Sequence, residues 1–180
     1  MSPSSESRED VVFQSIRARH AAALAAAYVR NREHLAEWEP VRPDDFYTEE
    51  GQRAYLSGRA EAMAVGAAYT FGLFLEDEII GCFNLNSVIR GAFQSASVGY
   101  WVDQDFTGQG LASLAVQRII DLSRGSLGLH RLEAATLVHN AASQKVLARA
   151  GFEQIGRAPK YLQIAGRWQD HNLYQVLLHD

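Results

Sequence analysis

A glycine-containing turn separates a segment typical of a β-strand from one typical of a helix. The turn, TGQGLA (residues 107–112), follows SASVGYWV (95–102) and leads into LASLAVQRIIDLSRG (111–125). Because glycine lacks Cβ, Gly108 and Gly110 can adopt positive φ and let a ligand approach the backbone N–H groups. A helix that begins directly afterwards adds unpaired N–H groups and the positive end of its dipole, which together suit a pyrophosphate. These residues predict an anion-binding turn, and they leave open the alternative of a tight turn selected for close packing.

Hydrophobic periodicity along the rest of the chain predicts a mixed α/β fold with a central sheet. The expected order is strand, two helices, three strands, helix, strand, helix and two strands. The predicted strands are 11–18, 69–75, 79–86, 95–102, 131–138 and two within 152–178, and the predicted helices are 20–31, 48–66, 111–123 and 140–151.

Composition excludes several classes of function. With 180 residues the chain predicts one domain at 11–180 after a polar tail at 1–10, and a net charge of −4 argues against direct binding of nucleic acid. Cys82 is the only cysteine, and the six histidines form no close cluster, so we expect neither a disulfide nor a metal site. The polar N-terminus and the absence of a long apolar run predict a cytoplasmic protein that does not enter membranes.

The turn matches neither a nucleotide P-loop nor a complete G-x-G-x-x-G, because Ser113 stands where the third glycine would be. It resembles the acetyl-CoA loop of the GNAT (Gcn5-related) N-acetyltransferases, Arg/Gln-x-x-Gly-x-Gly/Ala. HRLEAATLVHNAASQKVLARAGFEQIG (130–156) resembles the second GNAT signature, Asn-x-x-Ser followed by Leu-x-x-x-Gly-Phe, in its RimJ/RimL-like form. The segments EHLAEWEP (33–40) and YLQIAGRWQDHNLY (161–174) are similar to the same group of ribosomal-protein N-terminal acetyltransferases.

This resemblance implies a fold, a cofactor and a binding site. The implied GNAT fold has a mostly antiparallel, twisted sheet of about six to seven strands flanked by about four helices, and acetyl-CoA (coenzyme A) is the implied cofactor. Thr107 departs from the family pattern, which usually has Arg or Gln there, so weaker cofactor binding is expected. The implied cofactor-binding residues are Tyr100, Trp101, Val102, Thr107, Gly108, Gln109, Gly110, Leu111, Ala112, Asn140 and Ser143.

Acetyl transfer to an amine requires a base for the amine and a proton for the departing thiolate. The resemblance implies that Ser143 protonates the thiolate while Asn140 contacts the cofactor, and that a main-chain N–H near residues 100–102 holds the oxyanion. The residues themselves leave open a plain N-cap at Asn140 and a surface hydroxyl at Ser143. Glu133 is the implied general base, with a solvated or structurally paired strand glutamate as the alternative.

The amine acceptor follows only from the resemblance. It implies the N-terminal α-amino group of a ribosomal protein that begins with alanine, while a small amine or a non-catalytic acyl-CoA-binding role is the alternative. A basic ribosomal-protein tail would suit the acidic residues at 44, 45, 49 and 50. We expect a monomer or homodimer. The predicted acceptor-side residues are Trp38, Glu39, Tyr69, Asp170 and His171.

Overall fold

A computed structural model describes residues 10–179, so the predicted tail at 1–10 lies outside the described residues except for Asp10. Residues 10–179 form seven strands and five α-helices, of which α2 is a single turn. The predicted mixed α/β fold is confirmed, although the first strand ends three residues earlier than expected. The strands are β1 (Val11–Ser15), β2 (Tyr69–Leu75), β3 (Glu78–Ile89), β4 (Ser95–Val102), β5 (Arg131–Leu137), β6 (Glu153–Ile164) and β7 (Arg167–Leu177). The helices are α1 (Ala21–Arg30), α2 (Arg32–Leu35), α3 (Glu49–Ala64), α4 (Leu111–Arg124) and α5 (Ala141–Arg149).

The seven strands form one sheet in the order β1-β2-β3-β4-β5-β7-β6. Successive side chains along a strand point to opposite faces, so each face needs its own cover. On one face Val98 packs in a core with Leu111 and Ile119 of α4. On the other face Trp101 packs in a second core with Tyr28 of α1 and Leu56 of α3. Helices therefore cover both faces of the central strands.

The parallel contact between β4 and β5 divides the sheet. The other neighbouring pairs are antiparallel. β4 and β5 pair only from Ser95 to Val98 and from Arg131 to Ala134. Beyond that point both strands continue without pairing to each other. Within residues 10–179, the edge of β4 at 99–102 that faces β5 has no strand partner, so its main-chain groups are available to a ligand.

A buried polar cluster fixes the end of β4 against α1. The Asp103 carboxylate is fully buried and accepts hydrogen bonds from Arg30 Nε at 2.7 Å, Asn31 Nδ2 at 2.8 Å and the Asp105 N–H at 3.0 Å. Asn31 Oδ1 accepts a bond from the Gln104 N–H at 2.9 Å. Burial by itself would raise the pKa of Asp103, but these donors outweigh it and hold that pKa below its ordinary value. The cluster positions the segment that leads into the glycine turn.

Across residues 10–179, no helix combines the length and the apolar character that a membrane crossing requires.

Candidate active site

A cleft of about 560 Å³ opens between the unpaired edge of β4, the glycine turn and the first turns of α4 and α5, with α2 on its opposite side. Its lining includes most of the residues that the sequence predicts for cofactor binding: Tyr100, Trp101, Val102, Thr107, Gly108, Gly110, Leu111, Ala112, Asn140 and Ser143, together with the predicted acceptor residue Trp38. The sequence predicts no binding role for the remaining lining residues: His34, Leu35, Phe106, Ser113, Ala142, Lys145, Val146 and Arg149.

The glycine turn has the backbone conformation that its residues predict. Gly108 and Gly110 have φ of 75° and 80°, in the left-handed region that favours glycine. A Cβ placed on Gly108 would meet no atom within 4 Å, so close packing against the protein does not explain this glycine. Gly110 is the N-cap of α4, and the first intrahelical bond is donated by the Leu114 N–H to Gly110 O at 3.0 Å. The N–H groups of residues 111–113 therefore have no helical acceptor, and those residues line the cleft.

Two side chains of the turn form hydrogen bonds within the protein. The Thr107 hydroxyl donates to Gln104 O at 3.0 Å, which holds it inside the loop. Gln109 Nε2 donates to Asp105 O at 3.2 Å, and Gln109 is not among the cleft-lining residues. The donors that the turn offers to a ligand are thus main-chain groups rather than side chains.

The start of α5 holds Ser143 in the cleft. The Ser143 N–H donates to Asn140 Oδ1 at 3.1 Å, so Asn140 is the N-cap of this helix as one reading of the sequence predicts. The Ser143 and Tyr100 hydroxyl oxygens lie 2.9 Å apart in a hydrogen bond. Burial raises the pKa of Tyr100 to about 12 although the bond to Ser143 acts in the opposite direction, so the phenol remains protonated at neutral pH.

The Tyr100 hydroxyl is the main feature that sequence reasoning misses. Helix α5 contains no tyrosine, and Tyr100 reaches Ser143 from β4, 43 residues earlier in the sequence. The Tyr100 ring stacks on Phe83 with centroids 5.5 Å apart, which fixes the direction of the hydroxyl. The alternating pattern of β4 indicates the face on which Tyr100 lies but not its partner.

Glu133 lies on the opposite face of the sheet. Its neighbours Leu132 and Ala134 belong to the core under α4, so the Glu133 side chain points to the face that carries α1 and α3. The carboxylate is 37 % exposed and lies 3.6 Å from the Arg131 guanidinium. Glu133 is not among the residues that line the cleft, but it lies one position before the last β4–β5 pair.

The structure separates the two acceptor candidates near α2. Trp38 lines the cleft and its ring lies 5.5 Å from that of His139. Glu39 faces a smaller cavity, of about 190 Å³, on the other side of α2. Burial raises the pKa of Glu39, although Arg42 at 3.9 Å acts to lower it. Leu35 lines both spaces and forms part of the wall between them.

The other three acceptor candidates lie away from both cavities. Tyr69 stacks on Phe71, with ring centroids 6.5 Å apart. Asp170 pairs with Arg157 at 2.8 Å and accepts a bond from the Lys160 N–H at 3.0 Å, and these two hydrogen bonds lower its pKa. His171 is 3 % exposed. Contacts within the protein occupy these side chains, and their role in acceptor binding remains a prediction.

The charge of the cleft differs from that of the whole chain. The protein has 21 acidic and 17 basic residues, but the lining of the cleft contains Lys145, Arg149 and His34 and no carboxylate. Such a lining favours an anionic ligand.

Comparison with known proteins identifies the family. A family model described as "Acetyltransferase (GNAT) domain" matches residues 10–153, so the chain belongs to the GNAT acetyltransferases. It is an N-acetyltransferase with acetyl-CoA as the acetyl donor, as the sequence resemblance implies.

The curated relatives include RimJ/RimL-type enzymes. The chain is 39 % identical over 172 residues to the "[Ribosomal protein uS5]-alanine N-acetyltransferase" of Escherichia coli (strain K12), covering 94 % of this chain and 89 % of that protein. It is also 38 % identical over 152 residues to the "Probable N-acetyltransferase YjcK" of Bacillus subtilis (strain 168), covering 83 % of this chain and 84 % of that protein.

Solved structures match over nearly the whole chain. The ribosomal-protein-S5-alanine acetyltransferase from Vibrio fischeri superposes with a TM-score of 0.92 at 36 % identity, covering 95 % of this chain and 94 % of that one. Mycobacterium smegmatis RimJ, solved in complex with CoA-disulfide, gives a TM-score of 0.88 at 32 % identity, covering 93 % and 81 %. The predicted GNAT fold is thereby confirmed.

Proposed function

We propose that residues 11–180 form one catalytic domain that acetylates the N-terminal α-amino group of a ribosomal protein, with an alanine-starting, uS5-like protein as the acceptor. The observation that carries the chemistry is the Tyr100–Ser143 hydrogen bond inside an anion-favouring cleft, at the point where β4 and β5 separate. The acceptor class is supported by similarity over 94 % of the chain to an enzyme named for uS5 alanine. Ribosomal proteins and acetyl-CoA occur together in the cytoplasm, so that compartment belongs to the same proposal.

The cleft fits the donor molecule in its charge and in its main-chain donors. The free N–H groups of residues 108–113 would hold the pyrophosphate, as helix N-termini and glycine turns do for phosphates generally. The open edge of β4 at 100–102 would supply main-chain hydrogen bonds to the pantetheine arm and the N–H that stabilises the oxyanion. Asn140 would contact the arm beside Ser143. The donor supplies the thioester that the amine attacks.

The acid in this proposal is a pair of hydroxyls. As the new C–N bond forms and the C–S bond breaks, the Ser143 hydroxyl gives its proton to the sulfur. The protonated Tyr100 phenol would donate to Ser143 Oγ and stabilise the serine oxygen as it loses its proton. The proton that the amine gives up then returns to Ser143 through solvent, which restores the hydroxyl. A serine hydroxyl is a weak acid on its own, and the second donor therefore matters to the step.

The base lies on the other face of the sheet. An amine that approaches from the side of α1 and α3 meets the face of β5 that carries Glu133. Ser143 lies in α5, on the opposite face of the sheet. The gap between β4 and β5 lies between these two groups, so they can act on opposite sides of one reacting carbon. Glu133 would take the amine proton through a water molecule, because its carboxylate does not line the cleft.

Within the described chain, only two of the four acidic residues at 44, 45, 49 and 50 carry a charge that no ion pair neutralises. Asp44 pairs with Arg32 at 2.7 Å, and Glu49 pairs with Arg53. Asp45 and Glu50 form no ion pair among residues 10–179. These two carboxylates are the ones available to a basic ribosomal-protein tail.

The test is acetyl transfer by the purified protein to a panel of acceptors, measured by mass spectrometry of the product and by thiol release. The panel contains a uS5 N-terminal peptide that begins with Ala, the same peptide beginning with Ser, an N-terminally blocked version, and a set of small amines. We expect transfer to the Ala peptide, weaker transfer to the Ser peptide and none to the blocked peptide.

Other outcomes would contradict the proposal in distinct ways. Transfer confined to small amines would replace the acceptor and retain the chemistry. Binding of acetyl-CoA without transfer to any member of the panel would favour a non-catalytic acyl-CoA-binding role.

A further inference from the structure

Among residues 10–179, two cations on α5 are the only fully charged side chains that line the cleft. Lys145 and Arg149 both contribute to its wall, and no carboxylate does. The two residues are four positions apart on one helix, which places their side chains next to each other on the same face. Their combined charge is directed at the cleft in a protein whose overall charge is negative.

Neither cation is neutralised by a neighbouring carboxylate. Among residues 10–179, arginines elsewhere form ion pairs, such as Arg30 with Asp103 and Arg157 with Asp170. No carboxylate within the described chain lies within ion-pair distance of Lys145 or Arg149. An unpaired pair of cations beside a binding cleft is available for a ligand anion.

The glycine turn offers no cationic side chain to the phosphates of the donor. Thr107 stands where the family pattern usually has Arg or Gln, and its hydroxyl is engaged by Gln104 O. The turn therefore supplies neutral N–H donors, which suit the pyrophosphate. Coenzyme A carries a further phosphate on the ribose 3′ oxygen, and its two negative charges need a separate set of donors.

The position of α5 fits that second anion. The Tyr100–Ser143 bond anchors the first turn of α5 at the reacting end of the cleft. At about 1.5 Å per residue, Arg149 lies roughly 9 Å further along the helix axis than Ser143. Ala112 and Ser113 in the first turn of α4 also line the cleft, so α4 and α5 both border it.

We propose that Lys145 and Arg149 bind the 3′-phosphate of acetyl-CoA and make the enzyme select it over the 3′-dephospho form. This inference rests on the donor side of the proposed function and is independent of the acceptor. The arginine can bind two phosphate oxygens at once, while the lysine acts as a compact charge beside it.

The experiment measures the dissociation constants of coenzyme A and 3′-dephospho-CoA by calorimetry, with no acceptor present. The variants are Lys145→Gln, Arg149→Gln and the double variant, and Arg118→Gln is the matched control because Arg118 is exposed on α4 and does not line the cleft. We expect the wild type to prefer coenzyme A by about 100-fold, each single variant to lose about tenfold of that preference, and the double variant to bind both ligands almost equally. Arg118→Gln should keep the wild-type ratio.

Several results would overturn the inference. One is a wild type that binds both ligands equally, and another is a double variant that keeps the wild-type ratio. An equal loss of affinity for both ligands would place the two cations at the pyrophosphate. A fall in the ratio for Arg118→Gln as large as that for Lys145→Gln would indicate a general charge effect. Failure of the acceptor panel would leave all of these binding results unchanged, so the two proposals fail separately. Circular dichroism and thermal unfolding of each variant verify that α5 remains folded.

Discussion

At the scale of single residues, the proposed mechanism depends on two hydroxyl groups that are ordinary when considered separately. By its position alone Ser143 is an ordinary serine in the first turn of a helix. What distinguishes it is the Tyr100 hydroxyl, whose oxygen lies 2.9 Å from Ser143 Oγ. Burial raises the pKa of Tyr100 to about 12, so this phenol stays protonated throughout the physiological range. The pair therefore presents two protonated hydroxyls in contact with each other at the cleft.

Removal of the Ser143 hydroxyl should slow the chemical step. We expect Ser143→Ala to lower kcat about 100-fold with little change in KM for acetyl-CoA, because the acid acts when the C–S bond breaks. Tyr100→Phe keeps the ring that stacks on Phe83 and should lower kcat less, by about tenfold. Steady-state kinetics measure both, and full kcat in Ser143→Ala would refute the acid assignment.

Replacement of Glu133 tests the base. Glu133→Gln keeps the size of the side chain but cannot take the amine proton, so it should lower kcat/KM by about 10- to 100-fold. Glu61→Gln, on the exposed surface of α3, is the control and should keep the wild-type rate. A Glu133→Gln enzyme with the wild-type kcat/KM in steady-state kinetics would assign Glu133 to its ion pair with Arg131 instead.

At the scale of elements, the glycine turn and the two helix starts create the binding surface. The turn needs two left-handed residues so that α4 can begin at Leu111 with its free N–H groups facing the cleft. The first turn of α5 is fixed by the Asn140 cap, which also positions Ser143. The separation of β4 from β5 then exposes the main chain between these two helix starts.

Gly108→Ala tests the conformational requirement of the turn. Because Gly108 has φ of 75° and open space around it, the variant should lose about 1 kcal/mol to backbone strain rather than to a steric clash. Its dissociation constant for coenzyme A should rise at least about fivefold, because the relaxed turn no longer directs its N–H groups into the cleft. Calorimetry and urea unfolding provide the two measurements.

Gly58→Ala is the matched control for this variant. Gly58 is exposed in α3 with no atom within 4 Å of an added Cβ, so alanine should be neutral or stabilising there and leave the affinity unchanged. Equal affinities of the Gly108→Ala and wild-type proteins would show that the turn tolerates a side chain.

At the scale of the whole molecule, the buried cluster around Asp103 joins α1 to the start of the turn. Asp103 is 73 residues from Arg30 and 72 residues from Asn31 in the sequence, so the cluster forms only when the sheet and α1 are both in place. A buried carboxylate with charged and neutral donors is costly to disrupt, because the donors remain buried when the acceptor is removed.

Stability should therefore depend on the ionisation of Asp103. Since the pKa of Asp103 is lower in the folded state than its ordinary value of 3.8, its contribution is fully present well above that ordinary value and is lost as the pH falls through the folded-state pKa. We expect Asp103→Asn to lower the free energy of unfolding by about 2 kcal/mol at pH 7, with a smaller difference from wild type at pH 3. Urea unfolding at both pH values measures this.

The exposed turn residue Asp77 offers a control for that measurement. Asp77→Asn removes the same charge from the β2–β3 connection and should change stability by less than about 0.5 kcal/mol at either pH. An Asp103→Asn protein as stable as wild type at pH 7 would contradict the role of the cluster.

The sequence by itself determined the features that depend on residues close together in the chain. Strand and helix periodicity, the left-handed glycines of the turn and the Asn140 cap are local, so their physical causes can be read within a few positions. The two signature motifs are equally local, and they indicate the family and its cofactor without knowledge of the fold.

Only the tertiary structure decided which distant groups meet. The partnership of Tyr100 with Ser143, the placement of Glu133 on the opposite face, and the cluster that joins Arg30 and Asn31 to Asp103 all depend on strand register and on the point where β4 and β5 separate. Tyr69, Asp170 and His171 illustrate the same limit, since their residue types suit an acceptor site but only the fold shows that they do not line the cleft, and their role in acceptor binding stays a prediction. These arrangements arise from the packing of whole faces against one another, and no short stretch of sequence contains that information.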